Sequence, residues 1–143
     1  MHKLLILGTM LLSGILHSSF ALAQSVQTGN LEANCAEPQS QLEMNVCARL
    51  GFETADKELN EAYREVRADM RKTDQFLEKR LKGAENALLK GQRAWITYRD
   101  GACETEGFVF RGGSMEPFII SACKERLTRR RTEDLRKIID MKK

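Results

Sequence analysis

Apolar residues recur along this chain at steps of three and four, the spacing that builds one face of an α-helix rather than one face of a strand. Phe52, Ala55, Leu59, Ala62, Val66 and Met70 form the first series, with Tyr63 beside it, and Ser40 with Glu43 has capping-box spacing just ahead. A long first helix is expected from Ser40, with Gly51 interrupting its stripe without ending it. A second helix is expected from Thr73 or Asp74, because Leu77, Leu81, Ala84, Leu88, Gly91, Trp95, Tyr98 and Ala102 continue the same steps to about Gly107. Gly112 and Gly113 mark a short loop. Ser114 is a candidate N-cap, Glu116 and Pro117 fall in the first turn, and a third helix carries Ile120, Cys123, Leu127, Leu135 and Ile138. The joint between the first two helices is a few residues, which makes them antiparallel neighbours. The expected fold is all-α, an antiparallel three-helix bundle.

The pattern differs at the amino-terminal end. Lys3 precedes an apolar stretch from Leu4 to Leu16, and Ala21-Leu22-Ala23 before Gln24 has the small-residue layout of a signal-peptide cleavage site. The stretch is shorter than the roughly 20 apolar residues of a membrane span. Gln24 also offers no thiol for lipid attachment. Residues 1–23 therefore read as a cleaved signal peptide, 24–38 as a mobile segment tethered through Cys35, and 39–143 as the helical domain. The expected location is periplasmic or secreted, without a transmembrane anchor.

Cleavage would remove His2 and His17, the two histidines of the sequence. Ser-His and Cys-His nucleophiles and histidine zinc sites are then excluded from the mature chain. The formal charge of +3 falls to about +2 with the loss of Lys3, which argues against nucleic acid as a partner. Neither a paired-carboxylate motif nor a pronounced glycine-rich phosphate loop is present, so no enzyme activity, cofactor or metal is expected.

Cys35, Cys47, Cys103 and Cys123 are separated by eleven, fifty-five and nineteen residues, unlike the close pairs of thiolate zinc sites. In an oxidising compartment they read as disulfides. Of the three possible connectivities, Cys35 with Cys47 and Cys103 with Cys123 closes the two shortest loops, each stabilising by about 3 kcal/mol in the chain-entropy treatment. Geometry favours the same pairing. Cys47 lies about 10 Å along the helix from Ser40, while the step from Cys35 to Ser40 extends over about 17 Å, and in an up-down-up bundle Cys103 and Cys123 share the pole of Cys47.

Several separate blocks carry a family resemblance across nearly all of the mature chain. They are Cys35 with Gln41-Leu42-Glu43-Met44-Asn45 leading to Cys47; Ala55-Asp56-Lys57-Glu58-Leu59-Asn60 with Tyr63; the run from Gln92 through Trp95, Tyr98, Arg99 and Asp100 to Cys103; Gly112-Gly113-Ser114 with Pro117; and Cys123 with Thr128, Arg131 and Leu135. In these the sequence resembles the LprI family of lysozyme inhibitors. The resemblance implies a non-enzymatic exported protein that blocks lysozyme, or another muramidase, by stoichiometric binding. The described inhibitor of that family carries a lipidated cysteine, which this chain lacks, so action by a diffusing protein is expected.

For inhibition the candidate contact is the loop Phe108-Val109-Phe110-Arg111-Gly112-Gly113-Ser114, with Phe108, Phe110, Arg111 and Ser114 as partner-binding residues. Aromatic side chains and an arginine are common interface anchors, and glycoside hydrolysis uses paired carboxyl groups that a guanidinium would meet well. Trp95 and Tyr98 are expected in the core, with the indole packing near Gly91. Asp56, Asn60, Arg99, Asp100 and Arg131 are expected to form a polar network that joins the three helices and fixes their register. Animal lysozymes are generally cationic, so the basic residues Lys124, Arg126, Arg129, Arg130, Arg131, Arg136 and Lys137 of the third helix should face away from such a partner. The alternative is a non-enzymatic envelope module that binds another protein or an anionic surface component through those same residues, with salt-sensitive affinity.

Overall fold

Ser40 opens the first helix as its spacing predicts. In the computed structural model, which describes residues 33–141, the Ser40 hydroxyl accepts from the Glu43 amide at 3.2 Å. The Glu43 carboxylate accepts in turn from the Gln39 amide at 2.6 Å, one residue before the position a capping box would use. Helix α1 (Gln41–Phe76) runs on through Gly51 and buries Ala48, Ala55, Leu59, Ala62 and Val66. The expected signal peptide, and residues 24–32 of the segment that follows it, lie outside the described residues.

The second helix starts later than the apolar spacing predicts. Thr73 and Asp74 belong to α1, Leu77 and Leu81 fall in a connection containing a 3-10 turn at Lys79–Leu81, and α2 spans Ala84–Phe108. The cause is the Asp74 carboxylate. It accepts from the amides of Gly83, Ala84 and Glu85 at 2.8, 2.9 and 3.1 Å, so it caps the next helix from within its own. Gly83 supports the turn with φ 141°, a conformation disfavoured for residues with a side chain.

Helix α3 is Glu116–Asp140. Ser114 does not cap it: Met115 occupies the N-cap position, with no side-chain hydrogen bond there. Glu116 shapes this end instead, accepting from the Gly112 amide at 2.8 Å. Gly112, at φ 77°, supplies the left-handed step between the helices.

Cross-links set the helix directions. Arg67 and Arg71 near the end of α1 reach Glu85 at the start of α2, while Asn45 near the start of α1 donates to the Ser114 carbonyl at 3.0 Å. Helices α1 and α2 are thus antiparallel, and α3 returns alongside α1. Leu59, Ala62, Val66, Leu88 and Leu135 form the core, flanked by Tyr63, Met70, Trp95, Ile138 and Ile139. Near the other end, Gly107 lets α2 approach α3 so closely that an added Cβ would meet Ile120.

Both disulfides have the sequential pairing, Cys35–Cys47 and Cys103–Cys123, each with a Cα–Cα separation of 5.4 Å. They brace the pole shared by the start of α1, the end of α2 and the start of α3. Cys103 and Cys123 are buried, whereas Cys35 is exposed. Among the described residues, no helix is long and apolar enough to cross a membrane.

The inward face of α2 also differs from the one its apolar residues suggest. The helix buries Leu88, Gln92, Arg99, Cys103 and Gly107, with Trp95 half-buried between them. Tyr98 and Gly91 are exposed, and nothing lies within 4 Å of a Cβ placed on Gly91, so the indole does not pack there. Polar Gln92 and Arg99 take inward positions because each finds partners on the other helices.

Candidate functional site

The loop between α2 and α3 is built from successive turns. Phe110 and Arg111 donate their amides to the carbonyls of Gly107 and Phe108 at 2.9 and 3.2 Å, and Gly113 donates to Phe110 at 2.9 Å. These bonds hold the backbone while leaving side chains outside. Phe108 is 58% exposed, Val109 79% and Phe110 38%, a concentration of solvated apolar surface beside a buried disulfide.

Arg111 is already engaged. Its guanidinium stacks over the Phe108 ring at 4.9 Å from the centroid and donates to Glu116 at 2.8 Å. The Gly112 amide, with the Arg111 guanidinium, holds the Glu116 carboxyl below the usual carboxylate range despite the opposing effect of burial. Phe108, Arg111 and Glu116 thereby form one braced unit. Ser114 is exposed and is tied to α1 through its carbonyl, leaving its hydroxyl at the surface.

The five residues expected to join the helices divide into two arrangements. In the first, the buried Arg99 guanidinium contacts Asp56 of α1 at 3.2 Å, Asp100 at 3.0 Å and the Thr128 hydroxyl of α3 at 3.4 Å. It lies between the rings of Phe52 and Trp95, 5.1 and 5.2 Å from their centroids. Asn60 donates to the Asp56 carboxylate at 3.0 Å, and Lys124 approaches Asp100 at 3.4 Å. Burial alone would raise the Asp100 pKa, but hydrogen bonding and charge from Arg99, followed by Lys124, hold it below the ordinary value. Arg131 stands apart and donates to Gln92 at 3.1 Å. Sequence reasoning named Thr128, Lys124 and Gln92 but did not place them in these arrangements; the signal for Thr128 was a polar pair, Thr128 and Thr132, at helical spacing within the inward stripe of α3.

This guanidinium cluster is full. Arg99 is surrounded by carboxylates, a hydroxyl and two rings, so its geometry suits helix registration rather than capture of a small anion. Among the described residues, no group of three or more metal-ligating side chains occurs.

Charge is unevenly placed along the bundle. Around the disulfide pole, residues 33–50 and 101–122 include Glu37, Glu43, Glu104, Glu106 and Glu116 against only Arg49 and Arg111. Among the cations of α3, Lys124 and Arg126 follow Cys123 closely but are paired with Asp100 and Glu106 at 3.4 and 2.7 Å, while Arg129, farther along, pairs with Glu125 and Glu58 at 2.9 and 3.5 Å. The net positive charge of the chain is therefore not presented by the exposed aromatic loop.

Residues 32–135 match the lysozyme inhibitor LprI family. An uncharacterized protein of Rhizobium meliloti (strain 1021) is 47% identical over 112 residues, covering 76% of this chain and 81% of that protein. A crystal structure of a DUF1311 family protein from Pseudomonas putida KT2440 shares the fold with a TM-score of 0.58 at 23% identity, covering 73% of this chain and 95% of the other. The family match takes in α1, α2, α3 as far as Leu135 and both disulfides, and the chain belongs to the LprI family of lysozyme inhibitors.

Proposed function

We propose that this exported protein blocks a muramidase by one-to-one binding through the loop from Phe108 to Ser114. Family membership supports the activity, and the observation that carries the location is the exposed Phe108-Val109-Phe110 segment anchored between α2 and α3 by a buried disulfide. A braced loop loses little freedom on binding, so its apolar side chains add to affinity without a large ordering cost. Phe108 and Phe110 would fill apolar subsites of the enzyme's cleft, while the Ser114 hydroxyl offers a hydrogen bond. A cleft carboxylate would compete with Glu116 for Arg111 and then hold the guanidinium in a charge-assisted pair. The acidic residues around this pole suit approach by a cationic enzyme.

Titrating the processed, oxidised protein into animal-type lysozyme, with cell-wall lysis and binding heat followed together, tests the reading. Lysis should vanish near one equivalent. Phe108→Ala or Phe110→Ala should weaken inhibition by about 30-fold, the effect of losing an anchor contributing about 2 kcal/mol. Unaffected lysis without heat would refute inhibition of that enzyme, and undiminished inhibition by both variants would refute the loop as its contact.

A further inference from the structure

The pole opposite the disulfides has a different character. Phe76 ends α1 and is 81% exposed, Leu81 in the following turn is 52% exposed, and Met141 at the end of α3 is 79% exposed. Cations interleave with these side chains: Arg71, Lys72, Lys79, Arg80 and Lys82 fall within twelve residues and all are exposed. Lys72 lies one helical turn before Phe76, and both line a shallow concavity with Asp69 and Thr73.

The acids of this stretch offset part of that charge. Asp74 is occupied by the α2 amides, and Glu78 pairs with Arg80 at 3.0 Å. Arg71 pairs with Glu85 at 3.0 Å, while Lys72, Lys79 and Lys82 enter no salt bridge among the described residues. The result is an apolar tip flanked by the ammonium groups of Lys72, Lys79 and Lys82, with Asp69 beside the first of them.

We propose that the pole formed by residues 71–82 and the end of α3 docks on an anionic lipid bilayer, with Phe76 and Leu81 entering the interface and the surrounding cations meeting lipid phosphates. Charge complementarity selects this occupant. A second copy of the chain would bring the same cations face to face, and a soluble polyanion would engage the lysines while leaving Phe76 and Leu81 in water. An anionic bilayer supplies both phosphate charge and an apolar boundary within one surface. Docking this way would direct the Phe108–Ser114 loop away from the bilayer. The inference stands independently of the inhibitor reading.

The test uses protein processed by an exporting host, its amino terminus established by mass so that the Leu4–Leu16 stretch is absent. Co-sedimentation is measured with vesicles of phosphatidylglycerol and phosphatidylethanolamine, and with phosphatidylcholine alone. Binding should require the anionic lipid and weaken as salt rises from about 0.1 to 0.5 M. Each lysine near the surface contributes about fivefold, so Lys72→Gln/Lys79→Gln/Lys82→Gln should lower partitioning by about 100-fold. Phe76→Ser/Leu81→Ser should lower it by at least about tenfold. Tyr98→Ser, which removes an exposed aromatic on α2, should leave binding unchanged, and circular dichroism should show parental helicity in every variant.

Equal binding to neutral vesicles, or no binding to either kind, would overturn the proposal. So would parental binding by both pole variants, or a loss of binding in Tyr98→Ser equal to theirs. Tight binding to dextran sulfate that is insensitive to Phe76→Ser/Leu81→Ser, without vesicle binding, would identify a polyanion site instead. A sedimentation-equilibrium dimer abolished by that double variant would identify self-association.

Discussion

Replacing Arg99 by methionine separates the charge at the centre of the bundle from the volume that carries it. The parent side chain is 9% exposed, but its acidic partners Asp56 and Asp100 are 40% and 45% exposed and can recover water when the cation is removed. Each ion pair is therefore worth about 0.5–1 kcal/mol, well below the penalty for stranding a fully buried charge. The Thr128 hydroxyl has no such escape, since the residue is 0% exposed, and loss of its partner costs about 1–2 kcal/mol. The contacts with Phe52 and Trp95 add about 0.5–1 kcal/mol each. Relief from burying the guanidinium offsets part of this loss. The expected net destabilisation is about 2–3 kcal/mol for Arg99→Met, rising by about 1–2 kcal/mol for Arg99→Ala because the stem no longer fills the helix junction. Urea unfolding of the oxidised protein measures both variants, with a common m-value confirming that the denatured states are comparable. A methionine variant as stable as the parent, or more stable, would refute the assignment of stability to this cluster.

Three other outcomes follow from side chains or vacancies already placed. Gly91→Ala and Gly101→Ala should each stabilise by about 0.5–1 kcal/mol in urea unfolding, since both glycines are exposed in α2 with open space beside them. Gly107→Ala should instead destabilise by about 1–3 kcal/mol, because its methyl would collide with Ile120 beside the buried disulfide; a gain in stability would show that α2 and α3 separate at no cost. The acid response should depend on Asp74, whose carboxyl is held below its ordinary pKa by the Gly83 amide first and by those of Ala84 and Glu85 next. As pH falls the unfolded chain takes up this proton first, so the contribution is full above about pH 4 and is lost through the lower folded-state pKa. Thermal melts between pH 6 and 2 should show that loss, and Asp74→Asn should flatten it; an unchanged profile would remove Asp74 as a source of the acid response.

The first helix was legible because its apolar series, from Ala55 to Val66, is the buried face, and because Ser40 caps it through a local hydrogen bond. Sequential disulfides were legible for a similar reason, since short loops and a shared pole both favour them. Helix α2 was harder to read. Leu88 and Trp95 belong to the face expected, but beyond them the inward positions fall on Gln92, Arg99 and Cys103 rather than Gly91, Tyr98 and Ala102. One residue is about 100° of helix rotation. Hydropathy alone favours tyrosine over arginine at an inward site; the sequence chemistry that grouped Arg99 with Asp56 and Asp100 argued the other way, and Thr128 was the partner it did not include. The helix start was missed because Leu77 and Leu81 maintain the spacing through a turn, while the cap comes from Asp74, ten residues before Ala84. At the exposed loop, sequence chemistry singled out Phe108, Phe110 and Arg111, but gave no sign that Glu116 would hold the guanidinium.

The disulfides also determine what a single peptide-bond cut would do. Cys35–Cys47 closes a loop within the first segment and helix, while Cys103–Cys123 ties α2 to α3, so neither joins α1 to the other two helices. The turn at residues 77–83 is the covalent link between these parts, and it exposes Lys79, Arg80 and Lys82 to trypsin-like proteases. Cleavage there would yield a helix and a disulfide-linked helical hairpin held together by noncovalent contacts alone. The bundle is thus a natural split protein, whose two pieces could be made separately and whose reassembly would report the strength of the α1 interface directly.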